Sequence, residues 1–219
     1  MSTAWVYQPN PKSLFKGMSN IFMALSRFFA AGGEQIARTL PLLAQACEEF
    51  AAADTAWPAL AATLSAYAGA AETEQKQMGF EFNRLFVGPA PPIAPPYESV
   101  HLSAQRLVMQ EQTVAVRRCY QAADLQATSQ GAVPDDFIAT ELEFAAYLLS
   151  RALEENSAGN EGNSLHYVDF CATFLTEHPG CWVEPFAAAV NQNARHPVFP
   201  AVMQVLLTAI KTPLTIDII

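Results

Sequence analysis

Apolar residues recur at helical spacing along most of this chain. The first such run places one residue per turn on a single face: Leu14, Met18, Ile21, Leu25 and Phe28. Runs of β-branched residues that alternate with period two, as in strands, are absent from the sequence except in the tail 214–219. Half of the 219 residues are hydrophobic, and a chain of this size can bury about 70% of the surface that it exposes when unfolded. The pattern predicts an all-α fold, a single-domain helical bundle of roughly nine or more helices spanning residues 1–219.

Start and stop signals divide the chain into successive helices. The predicted ranges are 14–31, 34–53, 58–68, one starting near 72, 103–123, one running from 134 to about 155, 165–177, 182–193 and 197–210. Proline fits the first position of a helix, so Pro134 is predicted to start one. Asp135 and Asp136 would then lie in its first turn, where the helix dipole favours negative charge.

Two segments interrupt the helical pattern. Five prolines lie between Gly88 and Pro96, and they leave few backbone N–H groups to continue a helix. The sequence therefore predicts a proline-rich loop at 87–98. The polar, glycine-containing stretch 156–163 is predicted to be a mobile connector. It could act as a hinge through which two protomers exchange helices to form a homodimer.

The charge balance limits the choice of partner. The chain has 12 Lys and Arg against 21 Asp and Glu, a net charge of −9, and no basic stripe is visible. Binding to nucleic acid requires such cations, so no nucleic-acid partner is expected, whereas a cationic partner would be attracted over a long range. No secretory signal and no apolar run of about 18 residues is evident, which predicts a cytoplasmic protein without stable membrane insertion.

The familiar motifs of enzymes are missing from the sequence. It contains no P-loop, no Gly-x-Gly-x-x-Gly and no Gly-x-Ser-x-Gly. Glu98 and His101 form a Glu-x-x-His pair, but a di-iron site in a bundle needs a second copy. His178 is separated from Cys181 by Pro-Gly, which is typical of a junction between helices. The prediction is therefore a protein that is not an enzyme, with no catalytic residue, no metal site and no cofactor.

The cysteines give no sign of a structural site. Cys47, Cys119, Cys171 and Cys181 form no Cys-x-x-Cys pair and lack histidines at zinc-finger spacing. They are predicted to be reduced thiols in a cytosolic protein.

An acidic stretch of the sequence is a candidate binding site for a cationic peptide. Seven carboxylates and one Arg lie between residues 135 and 161. Asp136, Thr140, Glu143 and Tyr147 share one helical face, and Glu141 lies among apolar residues on the next face, so it is expected to be at least partly buried. The stretch is either a solvated helix face or a binding site for a cationic peptide, since carboxylates bind Arg in a bidentate manner.

Three segments of the sequence resemble those of a known family. Residues 81–89, EFNRLFVGP, and 94–100, APPYESV, are similar to the signature of the TorD/DmsD family of maturation chaperones for molybdenum-cofactor oxidoreductases. Residues 134–144, PDDFIATELEF, resemble that family's Glu-Pro-Asp-His motif and the helix after it. Val133 and Asp136 depart from this motif, because they stand where the family usually has Glu and His.

The resemblance implies a TorD-like, non-enzymatic chaperone of the cytoplasm. Such a protein binds the twin-arginine signal peptide of a molybdopterin oxidoreductase catalytic subunit, its apo form, or both, and it assists cofactor insertion and export proofreading in anaerobic respiration. The alternative is a cytosolic helical adaptor or assembly factor that does not read signal peptides. The predicted peptide-binding residues are Phe82, Leu85, Phe86, Pro95, Pro96, Tyr97, Glu98, Ser99, Asp135, Asp136, Glu141 and Glu143.

Overall fold

Ten α-helices account for most of the residues that the computed structural model describes, which are 11–50, 56–127 and 132–214. The helices are α1 Pro11–Ala31, α2 Ile36–Glu49, α3 Ala56–Ala68, α4 Glu72–Phe82, α5 Glu98–Leu102, α6 Glu111–Ala122, α7 Ile138–Ser157, α8 Glu161–Glu177, α9 Pro179–Asn193 and α10 Val198–Lys211. The described residues form no strand, and an isolated antiparallel bridge joins Tyr97 to Phe137. The predicted all-α bundle is therefore confirmed.

The pair formed by α1 and α7 is the most extensive helix contact in the bundle. The apolar stripe that the sequence predicts on α1 is buried along its whole length. Small residues let the two backbones approach: Ser19 on α1 donates to the carbonyl oxygen of Ala146 on α7 at 2.9 Å. The other helices pack around this pair: α2 packs on α1, α3 packs on α2, and α8 packs on α7. Helices α9 and α10 pack together, and α10 also contacts α3.

Aromatic side chains join the helices at the start of the signature segment. Phe82, on the last turn of α4, has its ring centroid 4.9 Å from that of Phe86 and 5.7 Å from that of Phe28 on α1. Phe86 also meets Phe186 of α9 and Phe199 of α10, at 5.8 Å and 6.0 Å. Edge-to-face packing of this kind is favourable beyond simple burial, so the cluster joins four helices into one core.

No helix in the described parts of the chain is both long enough and apolar enough to cross a bilayer.

The helix predicted at 103–123 is wrong in its first third. Helix α5 ends at Leu102, and α6 begins only at Glu111. Between them the backbone turns repeatedly, and Arg106 and Met109 adopt positive φ angles of 53° and 60°. Such angles cannot continue a right-handed helix, so the apolar residues that suggested helical spacing here lie exposed in a loop.

The helix predicted to start at Pro134 begins four residues later. The N–H of Phe137 donates to the carbonyl oxygen of Pro134 at 3.2 Å, which closes a turn. Phe137 is extended, and the N–H of Ile138 donates to Pro96 at 3.0 Å. Pairing with the proline-rich loop therefore replaces the first helical turn, and Asp135 and Asp136 precede α7.

The connector predicted at 156–163 is mostly helical. Helix α7 continues to Ser157 and α8 starts at Glu161, so a turn of three residues joins them. Glu155 accepts hydrogen bonds from the side chains of Asn160 and Asn163 at 3.0 Å and 3.1 Å, which ties the turn to the end of α7. Mobility and helix exchange at this turn remain predictions.

Parts of other sequence predictions lie outside the described residues. This applies to 51–53 in the second predicted helix and to 215–219 in the tail. The second predicted helix begins with a 3-10 turn, Gly33–Gln35, that leads into α2.

Replacing Gly79 with Ala should destabilise the fold. A Cβ atom at Gly79 would lie 2.9 Å from the backbone oxygen of Gly33, so the 3-10 turn and α4 would have to separate. Overpacking of this kind costs about 1–3 kcal/mol, measured as a fall in the free energy of unfolding in urea. Gly162→Ala is the matched control, because its Cβ would meet open space in α8, and it should be neutral or stabilising. Equal effects of the two changes would contradict the close approach.

Candidate functional site

The proline-rich loop and the turn before α7 meet in a short antiparallel contact. Besides the bridge between Tyr97 and Phe137, the N–H of Glu98 donates to the carbonyl oxygen of Asp136 at 3.1 Å. The rings of Tyr97 and Phe137 lie 5.4 Å apart between centroids. The two segments that resemble family motifs are thus neighbours, and this contact is called the junction below.

Asp136 is fully buried beneath the junction. One of its carboxylate oxygens accepts the backbone N–H of Ser99 at 2.7 Å, and the other accepts the hydroxyl of Thr113 at 2.7 Å. The first N–H groups of a helix have no partner within the helix, so this carboxylate caps α5 from a distant part of the chain. Asp136 is therefore held by internal partners.

Asp135 is also buried, and a cation of the same chain already pairs with it. The Arg117 guanidinium lies 2.6 Å from its carboxylate, and the Arg117 side chain is 41% exposed. The Tyr120 hydroxyl donates to the carbonyl oxygen of Asp135 at 2.9 Å. Helix α6 is thereby fastened to the turn before α7.

Glu141 lies in the interior, as the sequence predicted. It is 0% exposed, and the indole N–H of Trp182 donates to it at 3.2 Å. Burial raises the pKa of Glu141 well above its usual range, and the negative charges of Glu98 and Asp136 raise it further. The neutral, protonated carboxyl is therefore the favoured form of Glu141.

Glu98 pairs with a histidine from the far end of the sequence. His178, between α8 and α9, has its Nδ1 atom 3.1 Å from the Glu98 carboxylate and its Nε2 atom 3.5 Å from the Cys119 sulfur. The sequence placed His178 beside Cys181, whereas the structure pairs it with Cys119. Burial lowers the pKa of His178, but interactions with Cys119 and Glu98 outweigh burial and raise it to about 9.

His101 has a structural environment of its own. Its ring stacks on Trp182 with centroids 5.1 Å apart, and its Nε2 atom lies 2.8 Å from the carbonyl oxygen of Pro95. Glu98 and His101 therefore use different partners, although their spacing resembles half of a metal site.

Most of the predicted peptide-binding residues point inward. Phe82, Leu85 and Phe86 belong to the hydrophobic core. The buried members also include Pro96, Glu98, Ser99, Asp135, Asp136 and Glu141. Pro95 and Tyr97 are half-buried, and Glu143 is exposed. The structure therefore brings residues 95–99 and the two aspartates together at the junction, whereas Phe82, Leu85 and Phe86 lie in the core. Few of the predicted residues are accessible to a partner.

An open pocket lies beside the junction, between α6 and α7. It has a volume of about 250 Å³. Its lining residues are Tyr120, Leu125, Gln126, Ala127, Thr140, Glu143, Phe144 and Tyr147. The sequence identified the α7 face that carries Thr140, Glu143 and Tyr147. It missed the opposite wall from α6 and the segment after it, because nothing in the local pattern shows which helix faces α7.

Asp136→Ala should destabilise the protein, and Glu143→Ala should not. The first change leaves the N–H of Ser99 and the hydroxyl of Thr113 buried without an acceptor, which should lower the free energy of unfolding by about 2–4 kcal/mol. The second removes an exposed carboxylate and should change the free energy of unfolding by no more than about 0.5 kcal/mol. Urea unfolding followed by circular dichroism measures both. A stable Asp136→Ala protein would contradict the structural role of this carboxylate.

Stability should decline as the pH rises from about 6.5 to 9. The pKa of His178 is raised from 6.5 in the folded state, so its contribution is complete below 6.5 and is lost as the pH passes about 9. One pKa unit corresponds to about 1.4 kcal/mol, so the unfolding free energy should fall by about 2–3 kcal/mol over this interval. His178→Gln should flatten this part of the profile. Equal slopes for both proteins would exclude His178 as the titrating group.

Comparison with known proteins agrees with the motifs at the junction. A family model described as the nitrate reductase delta subunit matches residues 48–188. The Tat proofreading chaperone DmsD of Salmonella typhimurium is 27% identical over 149 residues, which cover 68% of this chain and 66% of that protein. The proteins of the same name from Salmonella typhi and Salmonella paratyphi A match with the same identity and coverage. The match thus spans just under two thirds of the length of these relatives.

The matched region 48–188 includes the proline-rich loop, the junction, both helices of the pocket and His178. It covers more than half of the chain. The chain therefore belongs to the nitrate reductase delta subunit family, and the resemblance to the TorD/DmsD chaperones is confirmed.

Proposed function

We propose that this chain is a cytoplasmic chaperone for the maturation of a redox enzyme. Its partner is the catalytic subunit of a molybdopterin oxidoreductase. The chaperone binds the twin-arginine signal peptide of this subunit, the apo form of the subunit, or both, before the cofactor is inserted and the enzyme is exported. Members of the TorD/DmsD family are chaperones rather than enzymes, and family membership together with the name of the relatives supports this role.

The pocket between α6 and α7 is the observation that supports a peptide-binding site. Its walls are the aromatic rings of Tyr120, Phe144 and Tyr147, and the exposed carboxylate of Glu143 belongs to its lining. A carboxylate beside an apolar surface suits a peptide that carries Arg next to hydrophobic residues, because Arg both pairs with the carboxylate and stacks on aromatic rings. The net charge of −9 would attract such a peptide from a distance.

The buried acids have a different part in this proposal. Asp135 is occupied by Arg117, and Asp136 caps α5, so neither offers a free carboxylate at the surface. Tyr120 connects the two regions, since its ring lines the pocket and its hydroxyl bonds to Asp135. The acids of the junction therefore position the pocket walls, and Glu143 is the residue that meets the cation of the peptide.

The size of the pocket limits what it can take. A volume of about 250 Å³ is below the range of pockets that enclose a whole drug-sized ligand, about 300–1,000 Å³. It suits one or two side chains of an extended or helical peptide. The remaining peptide residues would lie across the adjoining surface, with Tyr97 and Pro95 partly exposed at the junction.

Glu143→Ala and Tyr147→Ala should each weaken the binding of a twin-arginine leader peptide. Glu143→Ala removes a charge-assisted hydrogen bond, which costs about 1.5 kcal/mol or more, so the Kd should rise roughly tenfold or more. Tyr147→Ala removes an aromatic ring on which Arg can stack, so it should also raise the Kd. Calorimetry with synthetic leaders from neighbouring oxidoreductase genes measures this effect. Glu48→Ala is the matched control, because it removes an exposed carboxylate from α2 with the same change in net charge.

A leader in which Lys-Lys replaces Arg-Arg should also bind more weakly, since Lys lacks the bidentate geometry. Equal weakening by Glu143→Ala and Glu48→Ala would show a general charge effect and would overturn the pocket as the site. Partners that co-purify with the protein test the broader proposal. A client that carries a twin-arginine leader supports the chaperone, whereas a leaderless partner favours the adaptor.

A further inference from the structure

Cys119 belongs to a group of three side chains in successive contact that the proposed function does not use. Its sulfur lies 3.5 Å from Nε2 of His178, whose Nδ1 lies 3.1 Å from the Glu98 carboxylate. Glu98 and His178 are 2% and 7% exposed, and Cys119 is partly exposed. Cys119 thus has the position of a nucleophile, His178 that of its base, and Glu98 that of the group that orients the base. Cys119 is the most accessible of the three.

Glu98 determines where the protons of His178 lie. A carboxylate only accepts hydrogen bonds, so Nδ1 of His178 must carry the proton that it donates to Glu98. When His178 is neutral, its Nε2 atom can accept the thiol proton of Cys119. When His178 is charged, its Nε2–H points at the sulfur and stabilises a thiolate. In both cases one proton is shared between Cys119 and His178.

Other titratable groups surround these three side chains. Tyr120 follows Cys119 on α6, Glu141 of α7 interacts with Glu98, and Cys181 of α9 is also near Glu98. Tyr120 and Glu141 both have pKa values raised by burial, which favours their neutral forms. The imidazole of His178, which Glu98 orients, is therefore the titratable group in direct contact with the sulfur.

The other three cysteines are natural controls. Cys47 and Cys171 are fully buried, and burial raises the pKa of both thiols, to about 12 for Cys47. Cys181 is exposed, but its thiol donates to backbone carbonyl oxygens of Thr176 and Glu177 at 3.3 Å. Burial and the nearby carboxylates raise the pKa of Cys181 as well. Cys181 is therefore more exposed than Cys119, but its thiol faces backbone carbonyl oxygens, whereas the sulfur of Cys119 faces an imidazole.

We propose that Cys119 is a site of oxidative modification by hydroperoxides, with His178 and Glu98 as its positioning residues. The sulfur of the Cys119 thiolate attacks one oxygen of the hydroperoxide, an S–O bond forms and the O–O bond breaks. The sulfur is oxidised to a sulfenic acid, and the other oxygen leaves as hydroxide or alkoxide. That oxygen takes the Nε2 proton of His178 and departs as water or an alcohol, which leaves His178 neutral.

The four thiols of the full-length protein provide the first test. At pH 7 with limiting iodoacetamide, Cys119 should be alkylated roughly tenfold faster than Cys181, as quantified by mass spectrometry of the cysteine peptides. Treatment with hydrogen peroxide followed by a sulfenic-acid trap such as dimedone should label Cys119 first. Alkylation or peroxide labelling of Cys119 at the rate of Cys181 or below would overturn the proposal.

Two variants test the positioning residues. His178→Gln and Glu98→Gln should slow the alkylation of Cys119 roughly tenfold and leave the rate of Cys181 unchanged. Buried Cys47 reports on folding, because it becomes labelled only if a variant opens. An unchanged rate of Cys119 in a variant that still protects Cys47 would show that His178 and Glu98 do not activate the sulfur. If both variants expose Cys47, the relative labelling rates of Cys119 and Cys181 in the unaltered protein decide whether the proposal stands.

Discussion

The contact between the proline-rich loop and the turn before α7 positions the helices that line the pocket and carry Cys119. It replaces the first turn of a helix by a backbone bridge between Tyr97 and Phe137. It also brings the carboxylate of Asp136 to the N-terminus of α5, where a short helix needs a partner for its free N–H groups. Because α5, α6 and α7 all meet at this carboxylate, the pocket and the Cys119 arrangement both depend on it.

Burying so many carboxylates in one place is costly unless each finds a partner or loses its charge. The structure uses both solutions. Asp135 pairs with Arg117, Asp136 accepts two strong hydrogen bonds, and Glu98 faces His178. Glu141 instead loses its charge, since burial and its acidic neighbours raise its pKa and favour the protonated form. In the acidic stretch, the first three carboxylates, Asp135, Asp136 and Glu141, are thus internal. Glu143, Glu154 and Glu161 remain exposed.

The order of helices could be predicted from the sequence because helical spacing is a local property. The stripe on α1 and the burial of Glu141 among apolar neighbours both follow from positions three and four residues apart. The start of α7 could not be predicted in this way. Pro134 and two acids form a favourable first turn, yet a bond from Ile138 to Pro96, distant in sequence, directs the backbone into an extended form. The loop before α6 was missed for a related reason, since apolar spacing says nothing about positive φ angles at Arg106 and Met109.

The partners of His178 show the limit of reasoning from sequence neighbours. Cys181 is three residues away, but in the first turn of α9 its thiol donates to the backbone of α8. Cys119 lies 59 residues away and reaches the imidazole because Tyr120 and Arg117 fasten α6 to the turn that carries Asp135. Glu98 then orients the same imidazole from the signature segment. The residues that resemble a family motif therefore do more than shape a surface: one of them holds a histidine against a thiol on the neighbouring helix.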